Sequence, residues 1–258
     1  MRKGKSNMKV AIITGASSGI GEEFVFQIDQ ACNDLDEIWV IARRVEQTEY
    51  PVTKARIVRL PLDLTSKEAQ QVLEEKLAYE EPRIKLLINC AGFGKIGRFE
   101  DISLDMQCNM MECNTIALMK MCHLCIPYII KGGYILNMAS AAAFLPQIRF
   151  AVYAASKSFV LSFSRALNYE LRDRRISVTA VCPGPVKTHF FDIAEETGYT
   201  LFIKKIFMAK TEKVVKYALQ CARERRQVSV YGIPMKALHL ISKVLPHRLV
   251  LELYDFIL

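Results

Sequence analysis

"KVAIIT", residues 9–14, runs without a break into "TGASSGIG", residues 14–21, and the two together decide the fold. Val10, Ala11, Ile12 and Ile13 form a short, uninterrupted apolar run, the composition of a strand buried on both faces of a parallel sheet. Three glycines and three small hydroxyl residues cannot extend that strand. Gly15, Gly19 and Gly21 permit left-handed backbone and close approach, and "IGEEFVFQIDQAC", residues 20–32, then takes up helical spacing. A strand, a glycine turn and a helix start leave backbone N–H groups and the positive end of a helix dipole aimed at one point. The turn Gly15, Ser17, Ser18, Gly19, Ile20 and Gly21 is therefore the candidate anion-binding part of a cofactor site. Its spacing is Gly-x3-Gly-x-Gly, not the Gly-x-Gly-x-x-Gly of other dinucleotide folds.

Outward from this turn, apolar strand candidates alternate with helical stretches. The strands are expected at 10–14, 37–42, 56–60, 84–89, 133–139, 177–182 and 228–231, with helices near 19–33, 66–79, 105–130, 151–173 and 211–225. This alternation predicts an α/β fold, a single doubly wound parallel sheet (Rossmann fold) in one domain over 1–258. Residues 43–55, which include Pro51, leave little room for a crossover helix. No repeat, low-complexity tract or linker divides the chain.

The 258 residues are 51% hydrophobic and 24% charged, an ordered composition long enough for a substantial core. The net charge of +8 invites nucleic acid, but Lys and Arg are scattered and no nucleic-acid motif accompanies them, so none is expected as a partner. No apolar stretch reaches the roughly 18 residues of a membrane span, and the apolar run behind the basic start is too short for a signal core. The eight cysteines mostly lie inside apolar elements, as reduced thiols of a cytoplasmic protein would. "CHLC" at 122–125 has metal-like spacing but no second pair, and no metal is expected.

The second strand and the two arginines behind it read "EIWVIARR", residues 37–44, where such folds hold the adenosine ribose. A carboxylate there repels a 2′-phosphate, whereas Arg43 and Arg44 offer paired, charge-assisted hydrogen bonds to one. NADP(H) is therefore favoured over NAD(H). Asp63 and Leu64 close the third strand in "LPLDLT"; Asp63 either accepts from the adenine amino group or caps the helix beginning near Thr65.

Further along come "LLINCAG" (86–92), "MMECNTIALM" (110–119), "GGYILNMASAAA" (132–143), "YAASK" (153–157) and "VCPGPVKT" (181–188). With "TGASSGIG" these motifs, in order and spacing, resemble the short-chain dehydrogenase/reductase family over residues 8 to about 190. Cys90 stands where the family has a second Asn. The residues support such chemistry directly. Tyr153 and Lys157 are four apart, on one helix face. A phenol near pKa ~10 needs a neighbouring cation to work at neutral pH, and Lys157 supplies one. Ser140 closes the fifth strand at the carboxyl edge, where its hydroxyl can donate to a substrate oxygen.

The resemblance implies a catalytic tetrad of Asn114, Ser140, Tyr153 and Lys157, with Asn114 holding a water in a proton relay and Lys157 bonding the nicotinamide ribose. It also implies cofactor contacts from Asn89, Ala91 and Gly92, and from Pro183, Gly184, Val186 and Thr188 on the carboxamide side. The activity implied is hydride transfer between nicotinamide and a carbonyl carbon, with Tyr153 giving or taking the proton.

A helical substrate lid is expected at about 185–210. Its aromatics Phe190, Phe191, Tyr199, Phe202 and Phe207, with "AAAFLPQIRF" (141–150), either wall an apolar pocket for a steroid, lipid-like or aromatic ketone or pack the lid onto the core. His189 needs no special role. A sugar or polyol substrate, and a non-catalytic cofactor sensor, are the competing functions. The helical tail at about 234–258 should break into two pieces at Pro246, its apolar faces covered by the lid or a second subunit rather than by a membrane. The family resemblance further implies a homodimer or homotetramer formed through the helices at 105–130 and 151–173.

Overall fold

The structure, a computed structural model, describes residues 7–50, 53–199 and 208–257, with side chains described as far as Glu252. Seven strands form one parallel sheet: β1 (Lys9–Thr14), β2 (Glu37–Ile41), β3 (Arg56–Leu60), β4 (Arg83–Asn89), β5 (Ile129–Met138), β6 (Ser177–Val181) and β7 (Val228–Ser229). Their order is β3-β2-β1-β4-β5-β6-β7. The chain thus reverses direction between β1 and β4, and the crevice outside the carboxyl ends of those strands is where such sheets hold ligands.

The inner strands β1, β2, β4, β5 and β6 are largely buried on both sides, so successive residues feed opposite layers, while the edge strand β3 stays partly exposed. Val10 and Ile12 join the core beneath α2 (Lys67–Glu80), α4 (Ala117–Cys125) and α5 (Ala151–Glu170), through Leu73, Leu118 and Val160. Ala11 and Ile13 join the core beneath α1 (Gly19–Ala31) and α7 (Thr211–Arg223), through Phe24, Ile28 and Val215. The uninterrupted apolar strands follow from this two-sided burial. Cys122, Cys125, Cys182 and Cys221 are buried free thiols, whereas Cys108, on α3 (Leu104–Met111), is exposed.

Two elements differ from the sequence expectation. β5 begins at Ile129, four residues ahead of the start expected at Gly133. Ile129 pairs with Ile84 and Tyr134 with Leu86, so the glycines sit within the strand at a register shift, with Gly132 at φ +86°. The helix expected over 105–130 is three pieces: α3, a π-helical turn at Glu112–Ile116, and α4, closed by a 3-10 turn. Asn114 lies at the centre of the π turn, with its side chain fully buried and bonded outside its own helix.

The lid begins and ends on paired backbone: Val186 bridges Ala209, with Lys187 N–H donating to Ala209 O at 3.0 Å and Ala209 N–H to Pro185 O at 2.8 Å. Between them lies α6 (Phe190–Ala194). Phe202, Phe207, Pro51 and the first basic residues fall outside the described residues. The tail forms α8 (Ile233–Ile241) and α9 (His247–Ile257), separated at Pro246. Met235 is buried and Leu238 packs on the core, but Ile233, Leu240, Ile241, Val244, Leu245 and Leu249 stay exposed. The described residues of this chain cover the inner face of the tail.

Candidate active site

At the end of β1, Thr14 Oγ1 accepts hydrogen bonds from Cys90 N–H and Ala91 N–H, both at 3.1 Å, which draws the β4 loop against the glycine turn. Gly15 makes that approach possible. It sits at φ +63°, and a Cβ there would stand 2.7 Å from Ala91 N. Ser18 precedes α1 but its hydroxyl caps nothing, so the N–H groups of the first turn keep no side-chain acceptor.

These N–H groups border a groove of about 270 Å³. Gly15, Ser17, Ser18, Gly19, Ile20 and Gly21 form one wall. Arg43 and Arg44 behind β2, Asp63 and Leu64 behind β3, and Ala91 and Gly92 behind β4 line it further. Asp63 does not cap the next helix. Its Oδ1 accepts from Thr65 N–H at 3.0 Å and Thr65 Oγ1–H at 2.7 Å, while Ser66 is the cap, accepting from Ala69 N–H at 3.0 Å. Those bonds, with a smaller contribution from Arg43, hold the Asp63 carboxyl below its usual range. Phe93, Asn109 and Cys113 also line the groove and were not expected. Asn109 and Cys113 are one helical turn apart on the segment leading to Asn114, a spacing legible only once that helix is placed over β4.

A second cavity of about 150 Å³ adjoins the groove, and Ile20, Cys90, Gly92, Thr188 and Phe190 border both. It gathers Ser140, Tyr153 and Lys157 with Pro183, Gly184, Val186 and Thr188. Tyr153 is 7% exposed, stacked on Phe150 at 4.2 Å and tilted against Phe190 at 5.5 Å. Burial pushes its phenol up to about 12, opposed by a hydrogen bond shared with the Ser140 hydroxyl. Lys157 lies one turn on, Nζ 5.7 Å from the Tyr153 ring centroid and donating to Met138 O at 2.8 Å. Burial lowers its ammonium to about 8. Ser140 Oγ accepts from Ala142 N–H at 3.1 Å, which fixes it at the strand end.

Asn114 and Asn89 stand differently from the other expected residues. The Asn114 amide is fully engaged: Oδ1 accepts from Phe93 N–H, and Nδ2 donates to Phe93 O and Ser156 Oγ, at 2.9–3.0 Å. It ties the β4 loop to α5. The Asn89 side chain turns into the interior, 2% exposed, donating to Asn137 Oδ1 at 2.8 Å, and borders neither cavity. Its place at the last β4 position, level with Asn137 of β5, sends it into the core.

Phe150, Phe190, Phe191 and Gln147 wall this second cavity, and Met235 and Leu238 close it from the tail. A Cβ on Gly184 would lie 2.5 Å from Met235 Sδ, so the tail helix seats directly on the "PGP" turn. Tyr199 instead lies under Arg149, whose guanidinium is 4.9 Å from its ring. His189 is exposed and pairs with Asp192 at 2.9 Å.

Residues 9–197 match the short chain dehydrogenase family. The chain is 28% identical over 258 residues to a probable short-chain type dehydrogenase/reductase, VdlC, of Helicobacter pylori, covering 96% of this chain and 93% of that protein. It is 30% identical over 190 residues to 17-beta-hydroxysteroid dehydrogenase type 3 of Rattus norvegicus, covering 69% of this chain and 60% of the other. A solved short-chain dehydrogenase from Sphingobium yanoikuyae, in complex with NADPH, superimposes with a TM-score of 0.76 at 26% identity, covering 92% and 94% of the two chains.

Proposed function

The chain belongs to the short-chain dehydrogenase/reductase family and is an oxidoreductase, and we propose that it interconverts a hydrophobic ketone and its secondary alcohol with NADP(H) in preference to NAD(H). One observation carries this reading: Ser140, Tyr153 and Lys157 converge on an aromatic-walled cavity that opens into the groove of the glycine turn.

The groove suits a dinucleotide on its own geometry. Uncapped N–H groups at the start of α1 offer donors to a diphosphate, and the missing Cβ at Gly15 leaves the wall thin where the β4 loop closes on it. Arg43 and Arg44 supply the guanidinium pair that a 2′-phosphate needs. When bound, the nicotinamide supplies or takes the hydride.

The protein's own groups then handle orientation and the proton. Ser140 donates to the substrate oxygen, and the high pKa of Tyr153 keeps its phenol protonated and ready to donate during reduction. Lys157, still largely charged at neutral pH, favours the phenolate once the proton has left. Since the Asn114 amide is occupied by Phe93 and Ser156, the relay water is assigned to its main-chain carbonyl. Ala141, Ala142, Phe150 and the lid phenylalanines favour an apolar substrate over a polyol. The similarity to a hydroxysteroid dehydrogenase points the same way. Pairing of copies is assigned to the helices at 104–125 and 151–170, where Leu104, Met111, Met119 and Phe159 are exposed.

The test is NADPH oxidation and NADP reduction against hydroxysteroids, long-chain ketones, quinones and polyols, repeated with Tyr153→Phe. Turnover on an apolar carbonyl, lowered at least ~100-fold in the variant with nucleotide binding retained, is expected. Turnover on polyols alone, or an unchanged kcat in the variant, refutes the reading.

A further inference from the structure

The tail helix α8 has two apolar faces, and the protein covers one. Met235 and Leu238 point inward, onto the catalytic cavity. Ile233, Ala237, Leu240, Ile241 and Val244 recur at helical spacing along the opposite side, the last turn continuing through the Leu245 N–H bond to Ile241 O. Ile233 is 83% exposed, Val244 76% and Leu240 66%. Leu245 and Leu249 extend the patch across Pro246. Six of the seventeen exposed large hydrophobic residues among the described residues fall within 233–249. The others lie between Phe26 and Met208. A contiguous patch of this kind marks an interaction surface.

The charges around the patch say what would cover it. Lys236 and Lys243, seven residues apart, border one flank of the stripe and both are exposed, Lys236 with its Nζ 5.0 Å from the Tyr217 ring centroid. No carboxylate occurs from 233 to 251. Glu252, the next one, is engaged by Arg248 at 2.8 Å. His239 adds no charge at neutral pH, since it stacks on Phe144 at 4.4 Å and is held low by burial and by Lys243 and Arg165. An antiparallel two-fold contact with a second copy would bring the lysine flanks together. An anionic lipid surface complements them, while the lysine stems can lie along the apolar stripe with their ammonium groups at the headgroups. No described helix is long and apolar enough to cross a membrane, and the exposed stripe runs along α8, as in a helix lying in the surface plane.

We infer that the outer face of α8, continued by Leu245 and Leu249, docks on an anionic lipid bilayer. Met235 and Leu238 on the same helix border the catalytic cavity, so docking sets the cavity beside the acyl layer. The inference does not depend on which substrate is turned over.

The experiment is flotation of the full chain with vesicles of phosphatidylcholine alone and of phosphatidylcholine with phosphatidylglycerol. Thermal unfolding, nucleotide binding and solution mass are measured in parallel. Flotation with the anionic vesicles is expected, falling about tenfold or more on Lys236→Glu/Lys243→Glu. It should fall similarly on Leu240→Ser/Val244→Ser, with unfolding temperature, nucleotide affinity and mass unchanged in both variants. Absence of flotation with either vesicle overturns the inference. So does a drop in solution mass in the serine variant with vesicle binding unaltered, which would assign the face to a second copy of the chain.

Discussion

Replacing Gly15 by Ala tests whether the glycine turn is clamped on the β4 loop as tightly as the structure has it. Two costs apply. The backbone at φ +63° disfavours any Cβ, by about 1–2 kcal/mol. The new methyl would also stand 2.7–2.8 Å from Ala91 N, Ala91 Cα and Cys90 C. All three are backbone atoms, so no side chain can rotate away; relief requires shifting a loop fixed by Thr14, at about 1–3 kcal/mol. The sum of roughly 2–5 kcal/mol is a large part of a typical stability of about 5–15 kcal/mol. For a chain of this size it lowers the unfolding temperature by about 5–15 °C. Gly198→Ala is the control, because φ is +85° there but nothing lies within 4 Å of the added Cβ. It should lose about 1–2 kcal/mol, from backbone strain alone. The assays are thermal unfolding of both variants and titration with NADPH, whose binding should weaken in Gly15→Ala and hold in Gly198→Ala. Equal losses of stability in the two would refute the clamp.

Substituting Arg43 and Arg44 together by Ala should weaken NADP(H) about ten- to a hundredfold and NAD(H) far less, read by titration of both cofactors. An equal loss for both would place the guanidiniums elsewhere. Lys157→Met should abolish turnover yet raise stability at pH 7, by about 1–3 kcal/mol, because it removes a buried ammonium whose pKa is lowered from 10.5 to about 8. The folded state releases that proton first, so its penalty is complete below pH 8 and fades as pH rises to 10.5. The advantage of the variant should shrink over the same window in denaturant titrations, and destabilisation at pH 7 would contradict this. Truncation after Gly232 removes Met235 and Leu238 from the cavity wall and should lower thermal stability and raise KM for an apolar ketone. An unchanged KM would show that the tail is no part of the pocket.

The features legible in the sequence were local or carried by ordered motifs. The β1 turn announces itself because strand, glycines and helix are contiguous. Arg43, Arg44, Asp63, Ala91 and Gly92 are legible too, because each sits just behind a strand of one parallel sheet, and such ends share an edge. The direction of the Asn89 side chain was not legible, because the last strand residue can face either layer and its pairing with Asn137 turns it inward. The π turn at Asn114 left no trace, since its cause is a buried amide held by Phe93 and Ser156, partners from distant segments. The early start of β5 was hidden by glycines that usually end a strand but here occupy a bulge. Met235 and Leu238 reach the cavity only through the return of the chain after β7, which periodicity cannot reveal.

The sheet has two open edges, and neither invites another strand. β7 is two residues long, too short a ladder to template a neighbour. At the other edge β3 exposes Arg56 and Arg59, and both guanidiniums are anchored: Arg56 to Glu37, Arg59 to Thr48 O at 3.2 Å and over the Tyr50 ring at 5.4 Å. A second chain approaching that edge would meet fixed positive charge before it met a free backbone group. The apolar strands that make the core so continuous are thus shielded from growth into sheets of many chains, and loss of both arginines should show first as aggregation on heating, before any loss of the fold.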